Sequence, residues 1–308
     1  AETRVLIESL GKKMKRRGPD DGGPDGGQKF SQEAAQPEKK SGLKMSQTNT
    51  AADAAMEKLA ASTVAVFGVG GVGSYAAEGL ARAGVGHIVL VDNDLICLTN
   101  INRQIHATTQ TVGRKKTEAM RERILAINPR AVVDCIEEFY LPERAERFFA
   151  QHYDYVIDAI DSLKAKVSLI AFCKYRKIPI IVAGGAGGQM DPTQIQIADL
   201  SKTIMDPLAA KVRGELRRLH NFSKNPQRKF GVECVFSTEQ LRYPDGAGGV
   251  CHAKAQSDGN MKMDCASGFG ATTVVTATFG FTAVSRVLKK LAERGAKALR
   301  PQPQTADA

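Results

Sequence analysis

Short apolar runs that stop at a glycine or an acid alternate with longer stretches of helical period from residue 51 onward. Ala51 to Ala61 has helical composition. Thr63-Val64-Ala65-Val66-Phe67 then predicts a buried strand ending at Gly68, and Ser74 to Ala83 a helix closed by Gly84-Val85-Gly86. His87 to Val91 is the next strand, followed by Asp92. The alternation goes on: helix Lys116–Ile127 stopped by Asn128-Pro129, strand 131–136, helix 142–151, strand 155–158, helix 164–176 and strand 178–183. Strands regularly separated by helices predict an α/β fold with a doubly wound, mostly parallel, Rossmann-like sheet. Beyond Asp199 the pattern loosens into a basic helix at 206–219, a polar loop, a strand at 232–237 and a Gly-rich stretch at 243–259, together a C-terminal α+β extension.

Residues 1–50 differ. Lys12 to Arg17 is a basic run, Gly18 to Gly27 contains only Gly, Pro and Asp, and the remainder is mostly polar. Such a composition buries too little apolar surface to offset its ordering entropy. The expected organisation is a flexible tail over 1–50, one domain over 51–294 and a second tail over 295–308. Within the domain, 62–200 would be the nucleotide core and 201–294 the substrate side. Ala266 to Ser285 is a 20-residue run without a charge. Its length leaves a peripheral or single-pass membrane association open, but Arg286, Lys289 and Lys290 follow on the same helix and favour a buried packing helix.

The chain of 308 residues carries 43 Lys and Arg against 33 Asp and Glu, a formal net charge of +10, which favours polyanionic partners. Between Lys211 and Phe230 lie Lys211, Arg213, Arg217, Arg218, Lys224, Arg228 and Lys229, with Glu215 the one acid. That cluster is a candidate phosphate footprint for nucleic acid. With no Trp and 6% aromatic residues, a surface built on base stacking is not expected. The six cysteines include no C-x-x-C pair, which points to reduced thiols in a cytoplasmic protein and away from structural zinc.

The chemistry concentrates at strand ends. Gly68, Gly70, Gly71 and Gly73 form a G-x-G-x-x-G loop between a strand and a helix, the context in which backbone N–H groups receive phosphate. Asp92, 19 residues past Gly73, can accept hydrogen bonds from a ribose. To this point NAD fits as well as ATP, and the loop alone favours a dinucleotide. The next loop adds Asp94, Asn93, Asn100, Asn102 and Arg103, and Lys116 opens the following helix. Arg103 and Lys116 can neutralise phosphate oxygens, and Asp161, past the fourth strand, can hold Mg²⁺ against a triphosphate. A redox cofactor has no use for that set, so an NAD dehydrogenase is disfavoured. His106 and His252 are potential bases that no sequence feature singles out.

The segments Gly68–Ser74, Val91–Gln104 and Asp158–Ser162 resemble the ubiquitin-activating-enzyme-like (ThiF/MoeB-type) adenylyltransferases. Ala183–Leu208, Gly231–Glu239 and Met263–Gly270 narrow the resemblance to the tRNA threonylcarbamoyladenosine dehydratases, over roughly residues 56–291. The resemblance implies ATP and Mg²⁺, activation of a carboxylate and cyclisation of threonylcarbamoyladenosine in tRNA. Asp92 would then bind ribose, Asn100, Arg103 and Lys116 the phosphates, and Asp161 the metal. It also implies a homodimer, and leaves open a monovalent cation and a cysteine-desulfurase partner for sulfur transfer. Cys234 stands in a family-like motif, as a covalent nucleophile or as a buried strand residue. Relatives carry Arg-Thr-x-Leu-Leu before the first helix, whereas this chain has Thr48-Asn49-Thr50-Ala51-Ala52-Asp53, and Arg4, Arg16 and Arg17 lie farther away. The alternatives are adenylation of a sulfur-carrier protein and a non-catalytic nucleotide-binding module.

Overall fold

A computed structural model describes residues 51–244, 250–251 and 270–298, all within the unit Asn49–Ala308. The expected tail 1–50, Arg4, Arg16, Arg17, His252, Cys265 and nearly all of the segment Met263–Gly270 lie outside the described residues.

In chain order the elements are α1 (Ala51–Ala60), β1 (Thr63–Phe67), α2 (Gly73–Arg82), β2 (His87–Val91), α3 (Lys116–Ile127) and β3 (Val132–Ile136). Then come the short α4 (Ala145–Phe148), β4 (Tyr155–Asp158), α5 (Leu163–Tyr175), β5 (Ile180–Ala183), β6 (Ile195–Asp199), α6 (Pro207–Leu219), β7 (Glu233–Ser237), the short pair β8 (Tyr243–Pro244) and β9 (Val250–Cys251), and α7 (Thr273–Ala298). The main sheet runs β3-β2-β1-β4-β5-β7-β6, with β6 antiparallel to β7 and every other pair parallel.

The period of two in each strand divides two cores. Val64, Val66, Ile88, Leu90, Ile157 and Val235 face α2, α3 and α7; Ala65, Phe67, Val89, Val156, Val182 and Phe236 face α5 and α6. Both faces are covered, as the near-continuous apolar strands require. Chain order reverses between β1 and β4, so the carboxyl ends of these strands open a crevice there.

Three details differ from the sequence reading. β6 went unassigned. Its partner β7 sits between it and β5, so residues past 200 complete the same sheet. The charge-free run 266–285 is not one helical unit. α7 starts at Thr273 and reaches Ala298, beyond the boundary expected at 294, and among the described residues no helix is long and apolar enough to cross a membrane. The described part of this run therefore offers no single-pass span. Buried Val275, Phe279, Val287 and Leu291 turn this helix towards the sheet, and Arg286 pairs in a bidentate fashion with Glu233 of β7.

Candidate active site

The crevice is a cavity of about 850 Å³, within the range of small-molecule sites. The loops after β1, β2, β3, β4 and β5 line it, closed at one end by Gly270, Ala271 and Thr276. Gly68 lies in the left-handed region (φ +85°), and a Cβ there would stand 2.8 Å from the Ala159 carbonyl oxygen. A Cβ on Gly73 would overlap the Gly68 carbonyl oxygen. The loop needs glycine at both positions to lie against the β4 loop, and it delivers the N-terminus of α2 to the cavity beside Gly70 and Gly71.

Asp92 already braces the site. Its Oδ2 accepts from Val69 N–H at 2.7 Å and its Oδ1 from Asp94 N–H at 2.8 Å. Burial pushes its carboxyl up, against the pull of Lys116 and these two N–H groups. Each oxygen keeps a lone pair for a ribose hydroxyl. Lys116 is buried at the start of α3, where the helix dipole disfavours a cation, and its Nζ lies 2.6 Å from Asp94 Oδ2. A phosphate in the cavity would compete with Asp94 for that ammonium. Asn100, also buried, accepts from Cys97 N–H at 3.0 Å through Oδ1. Arg103 donates to Thr99 O at 2.7 Å and to Asn102 Oδ1 at 2.9 Å, while Asn102 Nδ2 holds Ala271 O at 3.0 Å. This loop is thus tied to the segment entering α7.

The two acids of Asp158-Ala159-Ile160-Asp161 separate completely. Asp161 is exposed and lines the cavity. Asp158 is 0% exposed; its Oδ1 accepts from Ile160 N–H at 3.0 Å, and its Oδ2 lies 2.9 Å from Lys166 Nζ, itself buried. Burial raises the Asp158 carboxyl against the Lys166 charge. Lys166 also acts electrostatically on buried Asp206, whose oxygens accept from Gly185 N–H and Ala209 N–H, both at 2.9 Å. This buried acid–lysine–acid arrangement fixes the loop that carries Asp161 and the glycines after β5. Sequence reading missed it. The available signal was Lys164 and Lys166, two residues apart on one helix and so unable to share a face.

The ThiF family pattern matches residues 44–308. The chain belongs to the ThiF family. It is 54% identical over 243 residues to the tRNA threonylcarbamoyladenosine dehydratase of Escherichia coli (strain K12), covering 79% of this chain and 91% of that protein. It is 50% identical over 184 residues to the dehydratase of the same name from Bacillus subtilis (strain 168), 60% of this chain and 70% of that one. The solved E. coli dehydratase TcdA in complex with ATP superposes with a TM-score of 0.70 at 49% identity, over 79% of this chain and 90% of that chain. The sulfur carrier protein ThiS adenylyltransferase of E. coli matches more narrowly, 35% identical over 136 residues, 44% of this chain and 54% of the relative.

Within this ThiF-family chain, the other sequence candidates scatter. Cys234 is 0% exposed in β7 and burial pushes its thiol far up, so the nucleophile reading gives way to the buried strand cysteine. Arg213 is half-buried and donates to Thr203 Oγ1. Arg217 stacks over the Phe230 ring at 5.3 Å, and Arg218 pairs with Glu215. Lys211, Lys224, Arg228 and Lys229 are exposed. None of the seven lines the cavity. His106, passed over in the sequence, is buried behind the glycine loop and donates from Nε2 to Val69 O at 2.8 Å.

Proposed function

We propose that this chain uses ATP to dehydrate N6-threonylcarbamoyladenosine in tRNA, closing the threonylcarbamoyl group into a ring. The observation that carries this is identity of 54% spanning 91% of a dehydratase, joined to a crevice where a glycine loop, Asp92, Arg103, Lys116 and Asp161 converge. The threonine carboxylate is a poor electrophile because oxide is a poor leaving group. Its oxygen attacks the α-phosphorus, pyrophosphate departs and a mixed anhydride with AMP results. A urea nitrogen or oxygen of the same group then attacks the activated carbonyl, a proton leaves a urea N–H, and AMP is expelled. Tethering makes this internal nucleophile highly concentrated, so the protein mainly positions, neutralises charge and excludes water.

In that reading Gly70, Gly71 and the N-terminus of α2 receive the phosphates. Asp92 orients the ribose, and Asn100, Arg103 and Lys116 meet the charge that develops on the leaving pyrophosphate. Asp161 would hold Mg²⁺, which would supply positive charge against the triphosphate. An exposed carboxylate lining the cavity suits a metal bound mainly through substrate phosphate and water. Among the described residues a monovalent cation has no donor set: Glu239 Oε1, buried without a hydrogen bond, already faces Arg242 at 3.7 Å.

A homodimer would cover Leu95, Leu98 and Ile101, exposed on the loop that also carries Arg103. A cysteine-desulfurase partner finds no acceptor in buried Cys234; the exposed thiol among the described cysteines is Cys97. A tRNA substrate implies a cytoplasmic enzyme.

The test is incubation with ATP, Mg²⁺ and tRNA bearing the modification, followed by digestion and mass analysis of nucleosides. Loss of one water, dependent on ATP, is expected. An unchanged nucleoside alongside adenylation of a carrier protein's terminal glycine would replace this reading. Asp161→Ala should lower turnover at least about 100-fold without altering the far-UV circular dichroism.

A further inference from the structure

The two edges of the main sheet carry different chemistry. The nucleotide crevice occupies the carboxyl edge. α5 starts there, two residues after Asp161, and runs 13 residues to the opposite edge, a distance of about 20 Å. At that far edge the start of β7 lies beside the start of β5, and the loop 221–231 is bound in from below. Lys174 Nζ donates to Gly231 O at 3.5 Å, Lys202 Nζ to Pro226 O at 2.6 Å, and Tyr175 Oη to His220 O at 2.5 Å. Asp199 accepts from the N–H groups of Phe230 and Gly231 at 2.9 and 2.7 Å, so its charge is spent on the loop backbone. The loop is therefore a fixed shelf. It presents Lys224, Arg228 and Lys229, with Lys177 and Lys202 alongside, all exposed. Lys177, Lys224, Arg228 and Lys229 make no ion pair among the described residues.

Lys177 is the informative residue. It follows α5 in the left-handed conformation (φ +57°), while Ile178 N–H closes back on Cys173 O at 2.8 Å. Helix ends of this kind ordinarily take glycine. A lysine held there at a conformational cost indicates a use for its charge. The carboxyl ends of α5 and α6 contribute about half a negative charge each at this edge. The cations outnumber what those ends require.

We propose that this basic edge docks the phosphates of an RNA stem, about 20 Å from the crevice that takes the modified nucleotide. At a rise of about 3 Å per step that span is roughly seven nucleotide steps along an A-form stem. One tRNA can thus place an anticodon-loop nucleotide in the crevice and its adjoining stem against this shelf. The inference rests on the dehydratase reading for the identity of the RNA, and it corrects the sequence-based footprint. Arg213 and Arg217 serve the fold, Arg218 is paired, and Lys177 and Lys202 join.

The test uses the full chain and the combined variant Lys224→Glu, Arg228→Glu, Lys229→Glu. Its KM for modified tRNA should rise at least about 10-fold at moderate salt, and the slope of log Kd against log salt should flatten by about 2 to 3. Its kcat, its KM for ATP and its turnover of a modified loop oligonucleotide lacking the stem should match the parent. Lys177→Gly should melt no lower than the parent yet bind tRNA more weakly, which a purely structural role would not produce. Unchanged tRNA KM and salt slope in the triple variant would overturn the proposal. So would parent-specific capture by phosphatidylserine vesicles with equal tRNA affinities, which would assign the edge to a membrane. Filter binding of tRNA keeps the test valid even if the parent fails to dehydrate its substrate, so the two readings fail separately.

Discussion

His106 holds the glycine loop through the one proton its ring carries. Its Nε2–H serves the Val69 carbonyl, and its buried Nδ1 has no hydrogen-bond partner. Burial, with Lys116 and Arg123 nearby, holds its pKa down to about 4 from 6.5. The unfolded chain therefore takes up this proton first. The stability contributed by neutral His106 is complete above pH about 6.5 and is lost as pH falls towards 4, by up to about 3 kcal/mol. His106→Gln keeps a donor and cannot titrate, so urea midpoints at pH 7 and pH 4.5 should differ less in that variant than in the parent. Equal differences would show that His106 does not titrate in this window. Residues such as this mark the limit of legibility in the site. Gly68, Asp92 and Asp161 were readable because strand ends in a doubly wound sheet converge on one crevice. His106 and Lys166 were not, because burial arises only when distant segments close over them. Cys234 was ambiguous for the same reason, since its depth in β7 is set by the fold.

At the scale of elements, α7 sits against α2 at a distance that only glycine permits. A Cβ on Gly280 would stand 2.6 Å from Val72 O and 3.0 Å from Ala76 N, both backbone atoms. Gly79 on the opposing helix meets Phe281 and Val284. Alanine at an open helical site would gain up to about 1 kcal/mol. Here overpacking reverses the sign, and Gly280→Ala should lower unfolding free energy by about 1–3 kcal/mol in a denaturant titration. A neutral or stabilising result would mean that the helices part more easily than their packing implies. The strands from β1 to β5 were legible because each is an apolar run ended by a glycine or an acid. β6 was not. Ile195-Gln196-Ile197-Ala198-Asp199 is one short alternation, and its partner appears only when the chain returns at Glu233. The same return turns the expected C-terminal extension into part of the main sheet.

The described part of the molecule has a nucleotide crevice at one edge of its main sheet and a cationic shelf at the other, joined by α5 and α6. Because loops from five strands line the crevice, nucleotide binding should stabilise the entire fold. A non-hydrolysable ATP analogue with Mg²⁺ at about 100 times its Kd should add about 2.7 kcal/mol and raise Tm by about 5–10 °C, whereas NAD should leave Tm unchanged. A shift with NAD alone would reinstate a redox cofactor. The strand order has a further consequence, one that belongs to synthesis. β6 leaves the ribosome about 40 residues before the strand that must slide between it and β5, a wait of about two to eight seconds at ordinary elongation rates. For that interval the growing sheet ends at β5 with an open edge. A truncation between residues 200 and 232 would make that condition permanent, yielding a product with the whole glycine loop and a sheet that cannot shut.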